Sequence, residues 1–100
     1  MELKISNFAQ KELEDSIFFY ELEHRGLGRR FKDEVRSTID RIIKFHKAWS
    51  VERGEIRKCF VHKFPYKVLY SIQKDIIVVL AIAHQHRKPD YWIDRMKELF

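Results

Sequence analysis

The residues of this sequence best equipped for chemistry lie within residues 81–92, AIAHQHRKPDYW: His84, His86, Arg87, Lys88 and Tyr91, followed by Trp92. Two more cations stand upstream, Arg57 and Lys63. Metal-independent cleavage of RNA needs a base for the 2′-hydroxyl, a cation for the phosphorane charge and an acid for the leaving oxygen. His84 or His86, with an ordinary pKa of about 6.5, or Lys63 suits the proton steps. Arg57 and Arg87 suit the charge, and Tyr91 or Trp92 suits the stacking of an unpaired base. The same residue types also hold a partner's phosphates or carboxylates with no bond broken. Two histidines with no third ligand make no zinc site, and nothing in the sequence asks for a cofactor.

Each candidate has a structural reading beside the chemical one. His84 shares strand parity with Ile76, Val78, Leu80 and Ile82, so one face is expected to carry all five, with His84 as its hydrogen-bonded cap. Arg57 shares parity with Cys59 and Val61, and an arginine on a partly covered face needs a carboxylate or carbonyl partner. Tyr66 and Tyr70 are expected to close the core with their hydroxyls at its edge. Tyr91 and Trp92 would lock the end of the chain over a sheet. Cys59 reads as a small buried hydrophobe.

The elements that must position these residues follow from periodicity. Leu3 to Ile5 predicts a strand, and Ser6 or Asn7 a helix N-cap. Ala9, Leu13, Ile17 and Tyr20 recur at helical spacing, with Gly26 placed to close that helix. Leu27, Phe31, Val35, Ile39, Ile42 and Phe45 form a second stripe, so the pair makes an antiparallel helical hairpin. Ala48 to Gly54 reads as a loop. Ile56 to Val61 predicts a strand that Phe64-Pro65-Tyr66 breaks. Val68, Tyr70 and Ile72 alternate as the next strand, Gln73-Lys74-Asp75 turns, and the unbroken run Ile76 to Ala83 predicts a strand covered on both sides. Tyr91, Trp92 and Met96 suggest a short last helix with Pro89 near its first turn. The expected fold is α+β: an N-terminal strand, a helical hairpin packed on a small, mostly antiparallel sheet, and a short C-terminal helix, as one domain over 1–100.

Composition bounds the partners. One hundred residues, 45% hydrophobic, bury only about 60–65% of the unfolded surface, so the core is thin. No basic and apolar leader opens the sequence, and the run Ile76–Ala83 falls far short of the ~20 residues of a membrane helix. A lone cysteine excludes an intrachain disulfide and suits a reducing cytoplasm. Net charge +5 and a pI of about 9.4 favour an anionic partner. The charge is unevenly spread. Phe8 to Arg25 is acidic, while Leu27 to Lys47 holds seven basic residues against Asp33, Glu34 and Asp40, which reads most simply as two solvated helix faces.

In element order, and in the stretches IRKCFVHKFPYKVLYSI (56–72) and IIVVLAIAHQHRKPDYW (76–92), the sequence resembles the ParE/RelE superfamily of bacterial type II toxins. The matching positions are Arg57, Phe64-Pro65-Tyr66, Tyr70, His84, Arg87, Pro89, Tyr91 and Trp92. The resemblance implies a toxin silenced by a cognate antitoxin whose C-terminal segment folds onto it, here against the hairpin residues Leu13, Ile17, Tyr20, Phe31 and Val35. ParE-like members imply inhibition of DNA gyrase, with Arg57, Arg87, Tyr91 and Trp92 as the surface for the target. RelE-like members imply cleavage of mRNA on the ribosome, with Arg57, Lys63, His84, Arg87 and Tyr91 as the candidate catalytic set. The sequence departs from the second branch. Only Lys67 and Lys74 supply cations between Tyr66 and Ala83, and Met96 to Phe100 carry no catalytic pair.

Overall fold

The computed structural model describes residues 1–99 and has the expected α+β architecture. Strand β1 (Glu2–Ile5) leads into α1 (Asn7–Glu23), then α2 (Leu27–Lys44). Ser6 is extended at φ −63° and its hydroxyl accepts the Ala9 N–H, which starts α1 as an N-cap does. Gly26 has a different place from the one its position suggested. Helix α1 stops at Glu23, with His24 extended, and Gly26 at φ +87° sits just ahead of α2. Gly26 has no side chain with which to cap α2. The Glu21 carboxylate does so from the end of α1, accepting the N–H of Gly26 (2.9 Å) and of Gly28 (3.1 Å). Gly28 lets the helices touch: a Cβ there would lie 2.5 Å from the Ile17 carbonyl oxygen.

Five strands follow the order β1-β5-β4-β3-β2, with β2 at Val51–Arg53, β3 at Ile56–Phe60, β4 at Tyr66–Gln73 and β5 at Ile76–His84. Helix α1 returns the chain so that β1 runs parallel to β5, and the other pairs are antiparallel. Strand β2 (Val51–Arg53) lies in the segment expected to be a loop. Three residues at a sheet edge give too short an alternation to register in sequence.

A bulge corrects the parity of β5. Tyr70 pairs with Val79 and Leu69 with Ala81, which leaves Leu80 as an extra residue. Ile77 and Val79 face the helices, Leu80 and Ala81 both face away, and Ile82 faces the helices again. His84 therefore ends the face of Ile77, Val79 and Ile82, not that of Ile76, Val78 and Leu80. The helix-side core gathers these with Phe31, Val35, Ile42, Cys59, Val68 and Tyr70. The opposite face carries Ile56, Leu69, Leu80, Ala81, Ala83 and Trp92.

Beyond His84 the chain turns through Pro89 to Trp92, makes a 3-10 turn (Ile93–Arg95) and ends in α3 (Met96–Leu99). Pro89 precedes these elements and does not open them. Of the closing residues Met96 to Phe100, Phe100 lies outside the described residues. Trp92, 2% exposed, seals the outer sheet face with Tyr91, Ile93 and Met96 around it. Arg53 on β2 pairs with Asp90 and ties the turn to the far edge of the sheet.

Candidate functional site

Strand β1 ends at Ile5, opposite Val79, so the second half of β5, paired with β4 on one side, has no strand on the other. Its backbone groups still need partners, and Glu12 of α1 with Arg95 of the tail supply them. Glu12 Oε1 accepts the Ile82 N–H at 3.1 Å and Arg95 Nη1 at 2.8 Å, while its Oε2 accepts the Tyr91 hydroxyl at 2.6 Å and Arg95 Nη2 at 2.9 Å. Arg95 also donates to the Leu80 carbonyl at 3.1 Å. Both side chains of this bidentate pair are about five-sixths buried, at 16% and 15% exposure. Burial pushes the Tyr91 phenol well above its ordinary range, and the Glu12 carboxylate pushes it further. The ring lies between two guanidinium groups, Arg87 at 3.9 Å and Arg95 at 4.9 Å from its centroid.

Beside this brace opens a cavity of about 280 Å³ lined by Glu12, Asp15, Ser16, Tyr66, His84 and Arg87. The His84 ring stands edge-on to Tyr66 at 5.0 Å, and its Nδ1 accepts the His86 N–H at 3.0 Å. That bond assigns the neutral ring's proton to Nε2, which makes Nε2 a donor. Ser16 donates to the Tyr66 hydroxyl at 3.2 Å, leaving the phenolic proton for a ligand. Arg87 has no anionic partner among the described residues. The cavity thus offers donors and a cation to an anionic group, while the basic nitrogen of its histidine is already engaged.

The other predicted residues are scattered. Arg57 donates to the Trp49 carbonyl at 2.7 Å, the carbonyl partner its half-covered face requires. It pairs across the sheet with Tyr70, four residues of strand, or roughly 13 Å, from Tyr66. Lys63 sits at φ +70° in the β3–β4 turn, 3.7 Å from Glu34, and lines no part of the cavity. Trp92 is internal and presents no face to a base. Tyr20 and Phe31 belong to an aromatic cluster with Phe64 and Tyr66, ring centroids 4.9 to 6.1 Å apart. Burial raises the Cys59 thiol. Among the described residues no three His, Cys, Asp or Glu side chains group as a metal site, and no helix is long and apolar enough to cross a membrane.

Sequence reasoning missed Glu12 and Arg95. It also missed the shape of the hairpin's outer groove, where cavities of about 330 and 460 Å³ adjoin at Lys32 and Arg36. Leu13, Val35 and Ile39 line the first, Ile17 and Arg29 the second. The groove has an apolar floor and a charged rim in which Arg29, Lys32 and Arg36 outnumber Glu21 and Asp33.

Residues 3–89 match the sequence model of a family described as ParE toxin of type II toxin-antitoxin system, parDE. Among solved structures, a chain of the chromosomal ParDE TA system from P. aeruginosa superposes with a TM-score of 0.65, at 14% identity, over 84% of this chain and 95% of that one. At such identity the likeness is one of fold. None of the curated proteins matches.

Proposed function

The chain belongs to the ParE toxin family of type II toxin–antitoxin systems, and from that premise we propose that it arrests growth by binding DNA gyrase and is silenced by a cognate antitoxin. The observation that carries binding over cleavage is the state of two groups a nuclease needs free. His84 Nδ1 is spent on the His86 N–H, and the Tyr91 hydroxyl is spent on Glu12. His84 Nδ1 cannot take up a proton without losing its loop bond, and Tyr91 cannot release one without losing a bond that holds the tail. Arg87 is exposed and held flat against Tyr91, which suits it to a phosphate or carboxylate of the target. Trp92 supports the surface from within, packed beside Tyr91, whereas Arg57 lies apart from it against the Trp49 carbonyl.

The antitoxin's C-terminal segment lies along the α1–α2 groove. Leu13, Ile17 and Val35 receive its apolar residues, and Arg29, Lys32 and Arg36 its acidic ones. Tyr20 and Phe31 support that floor from the core. Purified chain, with and without antitoxin, is tested in a gyrase supercoiling and cleavage-complex assay. Cleaved complexes should accumulate and the antitoxin should reverse them. Arg87→Ala should lose about tenfold or more of the effect while staying folded, and Lys32→Glu with Arg36→Glu should escape the antitoxin. Gyrase left untouched by excess protein sinks the target assignment and moves the assay to ribosome-bound mRNA.

A further inference from the structure

Helix α1 carries a second apolar stripe, on the side away from the core and from the α1–α2 groove. Phe18 is 65% exposed, Leu22 72%, Phe19 54% and Phe8 38%. Apolar side chains standing together in water mark an interaction surface. Positions 8, 11, 15, 18 and 22 are spaced by three and four in turn, the spacing of a helix–helix seam. Two members of this seam are charged, Lys11 and Asp15, which pair along the helix at 3.5 Å with side chains 77% and 67% exposed.

The stripe has a knob and a hole. Its C-terminal half projects Phe18 and Leu22. Its N-terminal half borders a cavity of about 380 Å³ walled by Asn7, Phe8, Lys11, Asp15, Arg87 and Arg95. One helix cannot bring its own knob to its own hole, since roughly 15 Å of helix separates Phe8 from Phe18. A second copy in antiparallel orientation brings both. The register that sets Phe18 of one copy over Phe8 of the other, about a two-fold axis level with residue 13, also sets Lys11 of each against Asp15 of the other.

We propose that the exposed face of α1 is a self-complementary dimer interface, in which Phe18 of each copy enters the cavity beside Phe8 and Lys11 of the other, and Lys11 exchanges its pairing with Asp15 from its own helix to the second copy's. Charge argues for this occupant. On this face Lys11 and Asp15 carry one charge of each sign, and a second copy in the two-fold register meets each with its opposite. An acidic peptide or a nucleic acid, uniform in sign, cannot do so at Asp15. Asp15 of the second copy then arrives beside Lys11, close to Arg87, which has no anionic partner among the described residues. The contact is isologous and closes on itself. It also withholds Arg87 from any other ligand.

Sedimentation of the purified chain without antitoxin, over a wide concentration range, tests the interface. A monomer–dimer equilibrium is expected. Lys11→Asp and Asp15→Lys should each weaken the dimer about tenfold or more, because like charges then face each other across the seam. The combined charge swap should restore it. Phe18→Glu should abolish it with helical circular dichroism unchanged. A monomer at every concentration overturns the proposal, as does a dimer indifferent to Phe18→Glu or a double swap that fails to rescue. A chain that stays monomeric and needs Phe18 to capture its antitoxin gives the face to a different partner and overturns it equally.

Discussion

Glu12 looks unremarkable in sequence, one of five carboxylates on an acidic helix whose simplest reading is solvation. Its partners are 70, 79 and 83 residues away, so no local pattern could announce them. Ser6 was legible as a cap because its partner is three residues on. That Arg57 needs a carboxylate or carbonyl partner followed from parity alone, and the partner is the Trp49 carbonyl. Replacing Glu12 with Gln keeps the shape and removes the charge that Arg95 and Tyr91 share. A buried ion pair stripped of one partner leaves the other uncompensated. We expect a loss of about 2–3 kcal/mol in chemical denaturation, whereas exposed Asp94→Asn should change stability by under about 0.5 kcal/mol. Equal, small effects from both would show that the brace contributes nothing.

At the level of elements, both long helices and four of the five strands were readable from period and punctuation. What escaped has a common cause. Strand β2 is too short to alternate, and the Leu80 bulge adds one residue inside a run that is apolar on both faces, so the switch of parity leaves no polar mark. Gly28 was equally silent. It sits within a regular helical stripe, and only the hairpin shows that it faces the Ile17 carbonyl. Gly28→Ala should therefore cost about 2–3 kcal/mol by forcing the helices apart, despite alanine's better helix propensity. Thermal unfolding measures it, and a stabilised Gly28→Ala would show that α1 and α2 slide without cost.

Taken as a whole molecule, the fold class and chain order were legible, but the path of the tail around the sheet was not. Buried tyrosines on both faces of the sheet give the molecule an alkaline sensitivity. Burial pushes the Tyr70 phenol up to about 12 from an ordinary 10.0, and Tyr20 and Tyr91 are raised as well. Tyr70 donates to the His46 carbonyl at 2.7 Å, a bond that requires its proton. A pKa raised on folding gives stability that is whole below the unfolded value and is lost as pH rises through the folded one. Denaturation midpoints should hold steady to about pH 10 and then fall towards 12, by about 2 kcal/mol for Tyr70 alone. Tyr70→Phe should start lower and fall less, and a wild-type curve flat to pH 12 would refute the linkage. The parallel pairing of β1 with β5 has one further consequence, in time. Glu2 to Ile5 leave the ribosome more than 70 residues before their sheet partners Ile76 to Val79, and Arg95 follows later still. At about 5–20 residues per second, the first strand waits several seconds for its neighbour. The half-made chain holds a helical hairpin with no sheet beneath it. Assembly of the sheet therefore cannot be completed until residues 76–79 emerge, and the brace at Glu12 closes only after Arg95 has followed.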